Sequence, residues 1–116
     1  MPYRFAIVAS SYNSVIVDRL VAGAKRALKG HDPVNVIRVP GSFEIPLAAK
    51  QAALSKKYDG IVALGCVLRG ETPHFDYIST AVSGGLSQAA LETGIPIGFG
   101  VLTVNTVEQA MERSGE

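Results

Sequence analysis

Short apolar runs alternate along this chain with segments in which apolar residues recur every three or four positions. "RFAIVAS" at 4–10 is apolar and β-prone, and it stops at "SSYN", a polar cluster suited to a turn and a helix cap. Val17, Leu20, Val21, Ala24 and Leu28 then fall at helical steps and predict an amphipathic helix over 14–29, ended by Gly30. "VNVIRV" at 34–39 reads as a second strand, and "PGSFEIP" separates it from an alanine-rich helix running to about residue 57. "GIVALGCVL" at 60–68 lacks alternation, which predicts a strand buried on both faces, as parallel sheets require. A third helix is expected from Asp76 to about Thr93, weakened in its middle by Gly84 and Gly85 and stopped by Gly94 and Pro96. "IGFGVLTV" at 97–104 is a fourth strand, and in the "NTVEQAMERSG" that follows, Asn105 and Glu108 have capping-box spacing.

Strands alternating with helices predict an α/β fold, a single domain with an open four-stranded parallel sheet flanked by helices on both faces. In such sheets ligands bind beyond the carboxyl ends of the strands. All four ends carry polar punctuation here, "SSYN", "PGSFE", "RGETPHFD" and "TVNT", so the site is expected along that shared edge. The length of 116 residues supports one core, and 47% hydrophobic with 18% charged residues marks a globular chain. Eleven Lys and Arg against ten Asp and Glu leave a net charge of +1 with no basic stripe, which disfavours a nucleic-acid partner. The apolar runs fall short of the roughly 20 residues of a membrane helix, and no signal-peptide pattern opens the chain. With Cys66 as the single cysteine, no intrachain disulfide can form, and a cytoplasmic protein is expected.

The octet "RGETPHFD" at 69–76 carries most of the candidate chemistry. Gly70 would let the backbone approach a ligand, and the N–H groups of Glu71 and Thr72 could meet a phosphate or carboxylate, although the Glu71 side chain would have to point away. The same composition also suits an ordinary turn fixed by proline. His74 can exchange a proton near neutrality, or it is a solvated loop residue; Asp76 either orients it or caps the third helix. His31, in the polar "GHDP" connection, reads as surface. Arg113 could bind phosphate through its planar fork or simply lie solvated on its helix. Tyr12, Phe43 and Phe99, at or beside strand ends, could stack on a heteroaromatic ring or belong to the core. Ser42 and Glu44 offer partners for a polyol or a ring N–H, or else cap a helix. Cys66 reads as a buried, inert thiol. Dinucleotide-binding and P-loop glycine motifs are missing, and two histidines far apart with one cysteine do not make a metal ligand set.

Taken together and in this order, "FAIVASSYN", "VPGSFEIPLAA", "GCVLRGETPHFDYI" and "IPIGFGVLTVNTVEQAMERSG" resemble the lumazine synthase family over nearly the whole chain. The resemblance implies a flavodoxin-like three-layer sandwich and the condensation of 5-amino-6-(D-ribitylamino)uracil with 3,4-dihydroxy-2-butanone 4-phosphate. The product would be 6,7-dimethyl-8-ribityllumazine, a step of riboflavin biosynthesis, and no cofactor or metal is implied. It casts Tyr12, in place of the family's usual Phe or Trp, as the ring that stacks on the pyrimidine. Ser42, Phe43 and Glu44 would meet the ribityl chain and ring, with backbone near Val67 and Leu68 reading the pyrimidine. Gly70, Glu71, Thr72 and Arg113 would hold the substrate phosphate, His74 would transfer protons, and Phe99 would come from a neighbouring subunit. A homo-oligomer is implied, a pentamer or an icosahedral shell of twelve pentamers. Family members also carry an N-terminal strand before this region and a glycine- and lysine-containing connection with a long helix after it, which residues 1–116 are expected to lack. Rival expectations are the related archaeal-type riboflavin synthase, a flavin or lumazine carrier and a shell protein without chemistry.

Overall fold

The computed structural model describes residues 3–70 and 74–115. Strands β1 (Phe5–Ser10), β2 (Asn35–Val39), β3 (Gly60–Leu68) and β4 (Ile97–Val104) form one parallel sheet in the order β2-β1-β3-β4. Helices α1 (Ser14–Ala27), α2 (Ile45–Leu54), α3 (Phe75–Thr93) and α4 (Val107–Arg113) cover it, with a 3-10 turn over Ser42–Glu44 leading into α2. Side chains of a strand alternate between faces, and the two cores divide accordingly. Ala6, Val8, Ala63 and Val67 pack on one face against Ile45 and Ala49 of α2 and Val82 and Leu86 of α3. Ile7, Ala9, Leu64 and Leu68 pack on the other against Ile16, Val17 and Val21 of α1 and Ala110 of α4. The expected α/β three-layer architecture is therefore the observed one, and β3, buried almost throughout, is covered on both faces as its unbroken apolar run predicts.

The topology also positions a site. From β1 the chain leaves through α1 on one face to reach β2, and from β3 it leaves through α3 on the other face to reach β4. Neighbouring strands whose connections diverge in this way open a crevice at their carboxyl ends, here between β1 and β3.

Two local expectations are corrected, and one glycine of α3 gains a packing role. The second helix stops at Leu54, short of residue 57; the Ser55 hydroxyl donates to the Ala52 carbonyl at 2.6 Å, and Lys56 takes a positive φ of 66°. α3 runs unbroken through Gly84 and Gly85. A Cβ on Gly85 would stand 2.8 Å from the Pro46 Cβ, so the missing side chain is what lets α2 and α3 pack this closely. The cap of α4 lies one residue later than Asn105 and Glu108: Thr106 Oγ1 accepts the Gln109 N–H at 3.1 Å, and Gln109 Oε1 accepts the Asn105 N–H at 2.8 Å.

The amino edge of the sheet closes on itself. The Arg4 N–H donates to Asp59 Oδ2 at 2.7 Å, and this bond, aided by the Arg4 guanidinium, holds the Asp59 carboxyl below its ordinary value. His31 is half-buried rather than a free surface residue: its Nδ1 accepts the Tyr3 N–H at 2.8 Å, and its ring stacks on Tyr3 and meets Phe5 edge-on.

Candidate active site

Tyr12 stands at the mouth of the β1/β3 crevice because the turn carrying it is tied on two sides. The Ser11 N–H donates to the Val39 carbonyl at 2.7 Å and the Tyr12 N–H to the Pro40 carbonyl at 3.1 Å. On the other side Asn13 Nδ2 donates to the Cys66 carbonyl of β3 at 3.1 Å. Asn13 itself is left-handed, φ 60° and ψ 45°, a conformation asparagine tolerates better than most residues, and its carbonyl accepts the first N–H bonds of α1.

Facing Tyr12 is the turn at Ser42–Glu44. Glu44 Oε1 accepts the Gly41 N–H at 2.8 Å, so part of this carboxylate serves as the cap that sequence alone left open. Ser42 is buried while Phe43 is 61% exposed, close to the 56% of Tyr12. Gly65 explains how this turn lies so near β3. A Cβ there would stand 2.7 Å from Ser42 Oγ and 3.0 Å from Ile45 Cδ1, so only glycine leaves the room.

These pieces enclose a cleft of about 240 Å³, lined by Tyr12, Gly41, Ser42, Phe43 and Glu44, with Cys66, Val67 and Leu68 of β3 and Ile78 of α3 completing it. Two exposed rings, a hydroxyl and a carboxylate around an apolar floor suit a flat heteroaromatic ligand with a polar edge. Tyr12, Ser42, Phe43, Glu44, Val67 and Leu68 were expected at the site, and they meet in this one cleft.

Other expected residues stand apart from it. Gly70 follows β3 with a φ of +95°, a left-handed turn that glycine adopts freely. Glu71 and Thr72 lie outside the described residues. His74 occupies the cap position of α3, exposed, with its ring 6.0 Å from that of Tyr77. Asp76 is not the cap residue; it sits in the first turn of α3 with Oδ1 3.7 Å from Arg69 Nη2. Arg113 ends α4, exposed and not among the cleft residues. Phe99 lies well below the carboxyl edge, paired with Ala63 on the edge strand β4 and 52% exposed. It lines a different depression, with Leu86, Ala90, Leu91 and Ile97.

Ile78 lines the cleft and was missed by sequence reasoning, while Gly41 and Asn13 lie in the "PGSFE" and "SSYN" turns expected at this edge without having been singled out. Ile78 had a signal, its place one helical turn after His74. Asn13 read as a helix cap, and nothing local to it announces a bond to β3.

A model of the family described as 6,7-dimethyl-8-ribityllumazine synthase matches residues 2–116. The chain belongs to that family. Its relatives include the 6,7-dimethyl-8-ribityllumazine synthase of Nitratidesulfovibrio vulgaris (strain DP4), 54% identical over 97% of this chain and 74% of that protein. The synthase of the same name from Trichormus variabilis is 49% identical over 98% of this chain and 64% of its own length. That of a Nostoc species is 48% identical, again over 98% and 64%. The 6,7-dimethyl-8-ribityllumazine synthases are transferases of riboflavin biosynthesis, and this chain is a member by sequence along nearly its whole length. Among the described residues no helix is long and apolar enough to cross a membrane.

Proposed function

We propose that the protein condenses 5-amino-6-(D-ribitylamino)uracil with 3,4-dihydroxy-2-butanone 4-phosphate, forming 6,7-dimethyl-8-ribityllumazine with release of phosphate and water. The observation that carries this reading is the β1/β3 cleft, where two exposed rings flank buried Ser42 and the end of β3. The pyrimidine stacks on Tyr12, its edge meets backbone groups near Val67 and Leu68, and its ribityl chain runs toward Ser42, Phe43 and Glu44.

The chemistry needs no nucleophile from the protein. The 5-amino group of the pyrimidine attacks the ketone, and loss of water leaves an imine. Removal of a proton beside the imine expels phosphate, which departs with the electrons of its C–O bond. After tautomerisation the ribityl-bearing nitrogen attacks the remaining carbonyl, and a second water leaves as the ring closes. Each step moves protons and one releases an anion, so the protein must align two reactants, transfer protons and stabilise phosphate. His74 is the proton-transfer residue in this scheme, and Gly70, Glu71, Thr72 and Arg113 form the phosphate end. His74→Ala and Arg113→Ala combined should lower kcat/KM for the butanone phosphate by at least about 100-fold, the scale of losing a positioned acid–base group. Unchanged kcat/KM in the double variant would refute the assignment.

The apolar surface away from the cleft supports a homo-oligomer, and the likeness to the lumazine synthase family is what makes a pentamer, alone or twelve in a shell, the form proposed. Leu91 is 84% exposed beside the half-exposed Phe99, a costly arrangement in water that a neighbouring subunit would relieve. In that assembly Phe99 reaches the neighbour's cleft. Phe99→Ala should then raise KM for the pyrimidine substrate, and sedimentation of the wild-type chain as a monomer would rule the arrangement out.

A further inference from the structure

Arg69 is not among the residues that line the cleft, yet its side chain joins three elements. Its backbone N–H donates to the Val104 carbonyl at 2.9 Å, so Arg69, the residue after β3, is still tied to β4. Beyond it the chain turns at Gly70, and His74 is where α3 begins. The guanidinium spans the two ends of this connection. Nε donates to Asn105 Oδ1 at 2.9 Å, the guanidinium carbon stands 4.4 Å from the centre of the Phe75 ring, and Nη2 is 3.7 Å from Asp76 Oδ1.

Phe75 and Asp76 directly follow His74 in the chain. Asn105 is held in turn, since its N–H donates to Gln109 Oε1 at 2.8 Å at the cap of α4, the helix that carries Arg113. One side chain thus connects the first turn of α3, which His74 opens, to the start of the helix bearing the proposed phosphate arginine. A lysine could not replace it. Stacking on a ring while donating in the guanidinium plane needs a flat fork, and an ammonium offers a single point charge.

We propose that Arg69 is the positioning residue for His74: by clamping Phe75, Asp76 and Asn105 it fixes where the imidazole stands relative to the bound substrates. This deepens the proposed reaction and rests on it. The Asp76 contact alone would contribute little, because both partners are largely exposed. The clamp depends on all three contacts being made by one rigid group.

The test uses the whole chain with Arg69→Met, which keeps the apolar stem and removes the fork, and with Arg69→Lys. Both variants should lose kcat by roughly 100-fold, the scale expected when a reacting group is displaced by about 1 Å. KM for the ribitylaminouracil should stay within about 2-fold, because the β1/β3 cleft does not use Arg69. In the His74→Ala background, Arg69→Met should cost almost nothing further, since a residue acting through His74 has nothing left to position. Additive losses in that double variant, full activity of Arg69→Lys, or a KM rise matching the kcat loss would each overturn the proposal. A readout without turnover separates this from the reaction itself. The ring-proton NMR signal of His74, assigned by its loss in His74→Ala, should move or broaden in Arg69→Met while that of His31 does not. Clear displacement of the His74 signal in a protein that fails to make lumazine would sink the proposed reaction and keep the clamp. An unmoved signal would sink the clamp whatever the activity.

Discussion

At the amino edge of the sheet the rings of Tyr3, Phe5 and His31 contact one another, with Tyr3 still 60% exposed, whereas at the carboxyl edge Tyr12 and Phe43 face solvent across a cleft. The residue types are alike at the two edges and their partners are not. Below, Asp59 takes the Arg4 N–H and guanidinium, His31 takes the Tyr3 N–H, and Gly60 is seated against the Phe5 ring. Above, the hydrogen bonds are spent on holding turns in place, through Ser11, Asn13 and Glu44, while the rings they carry stay uncovered. An edge whose polar groups and rings pair with one another contributes stability. An edge that fixes its backbone and leaves its rings open is built to receive something.

That contrast can be broken from either side. The largest effect is expected at the carboxyl edge, where His74→Ala should reduce kcat at least about 100-fold with thermal stability nearly unchanged, measured by steady-state kinetics and thermal unfolding. Next comes Gly60→Ala at the amino edge. Its new Cβ would lie 2.9 Å from Phe5 Cε1, and such overpacking should cost about 1–3 kcal/mol of stability in denaturant titrations while leaving KM for both substrates alone. Smaller again is Tyr12→Ala, which should weaken pyrimidine binding by about 10-fold, the value of one aromatic stack, and Tyr12→Phe should restore it. A loss of stability in Tyr12→Ala comparable to that of Gly60→Ala would mean the carboxyl-edge ring is core after all.

The smallest effect concerns acid. The Arg4 N–H, then the Arg4 side chain, holds the folded Asp59 carboxyl below its ordinary value. The contact therefore adds stability above the ordinary aspartate range, and that contribution is lost as pH falls through the lowered folded value. Asp59→Asn should flatten the acid limb of a Tm-against-pH curve and leave the pH dependence of kcat untouched. A shifted kinetic profile in that variant would show that the two edges are coupled.

Much of this architecture was legible in the chain because burial on two faces leaves an unbroken apolar run, as in β3, and burial on one face leaves a helical stripe, as in α1. The cleft residues were legible for a related reason: strands that end at a binding edge end in polar and glycine-rich turns, and "SSYN" and "PGSFE" do so. What escaped depends on reach through space. Asn13 and Cys66 are 53 positions apart, and Arg69 and Asn105 are 36 apart, so no local pattern announces either bond. Gly85 reads as a weak point because glycine lowers helix propensity, and no local pattern announces that Pro46, on another helix, packs against it where a Cβ would not fit. Phe99, expected to serve a neighbouring subunit, lines a depression separate from the cleft of its own chain.

The most direct test mixes the purified protein with the ribitylaminouracil and the butanone phosphate and follows lumazine absorbance and free phosphate together, in the wild type and in Tyr12→Ala. Equal amounts of lumazine and phosphate, formed only when both substrates are present and at a raised pyrimidine KM in Tyr12→Ala, are the expected result. Lumazine formed without the butanone phosphate, no product from the folded chain, or a Tyr12→Ala variant with unchanged KM would contradict the placement of this reaction in the β1/β3 cleft.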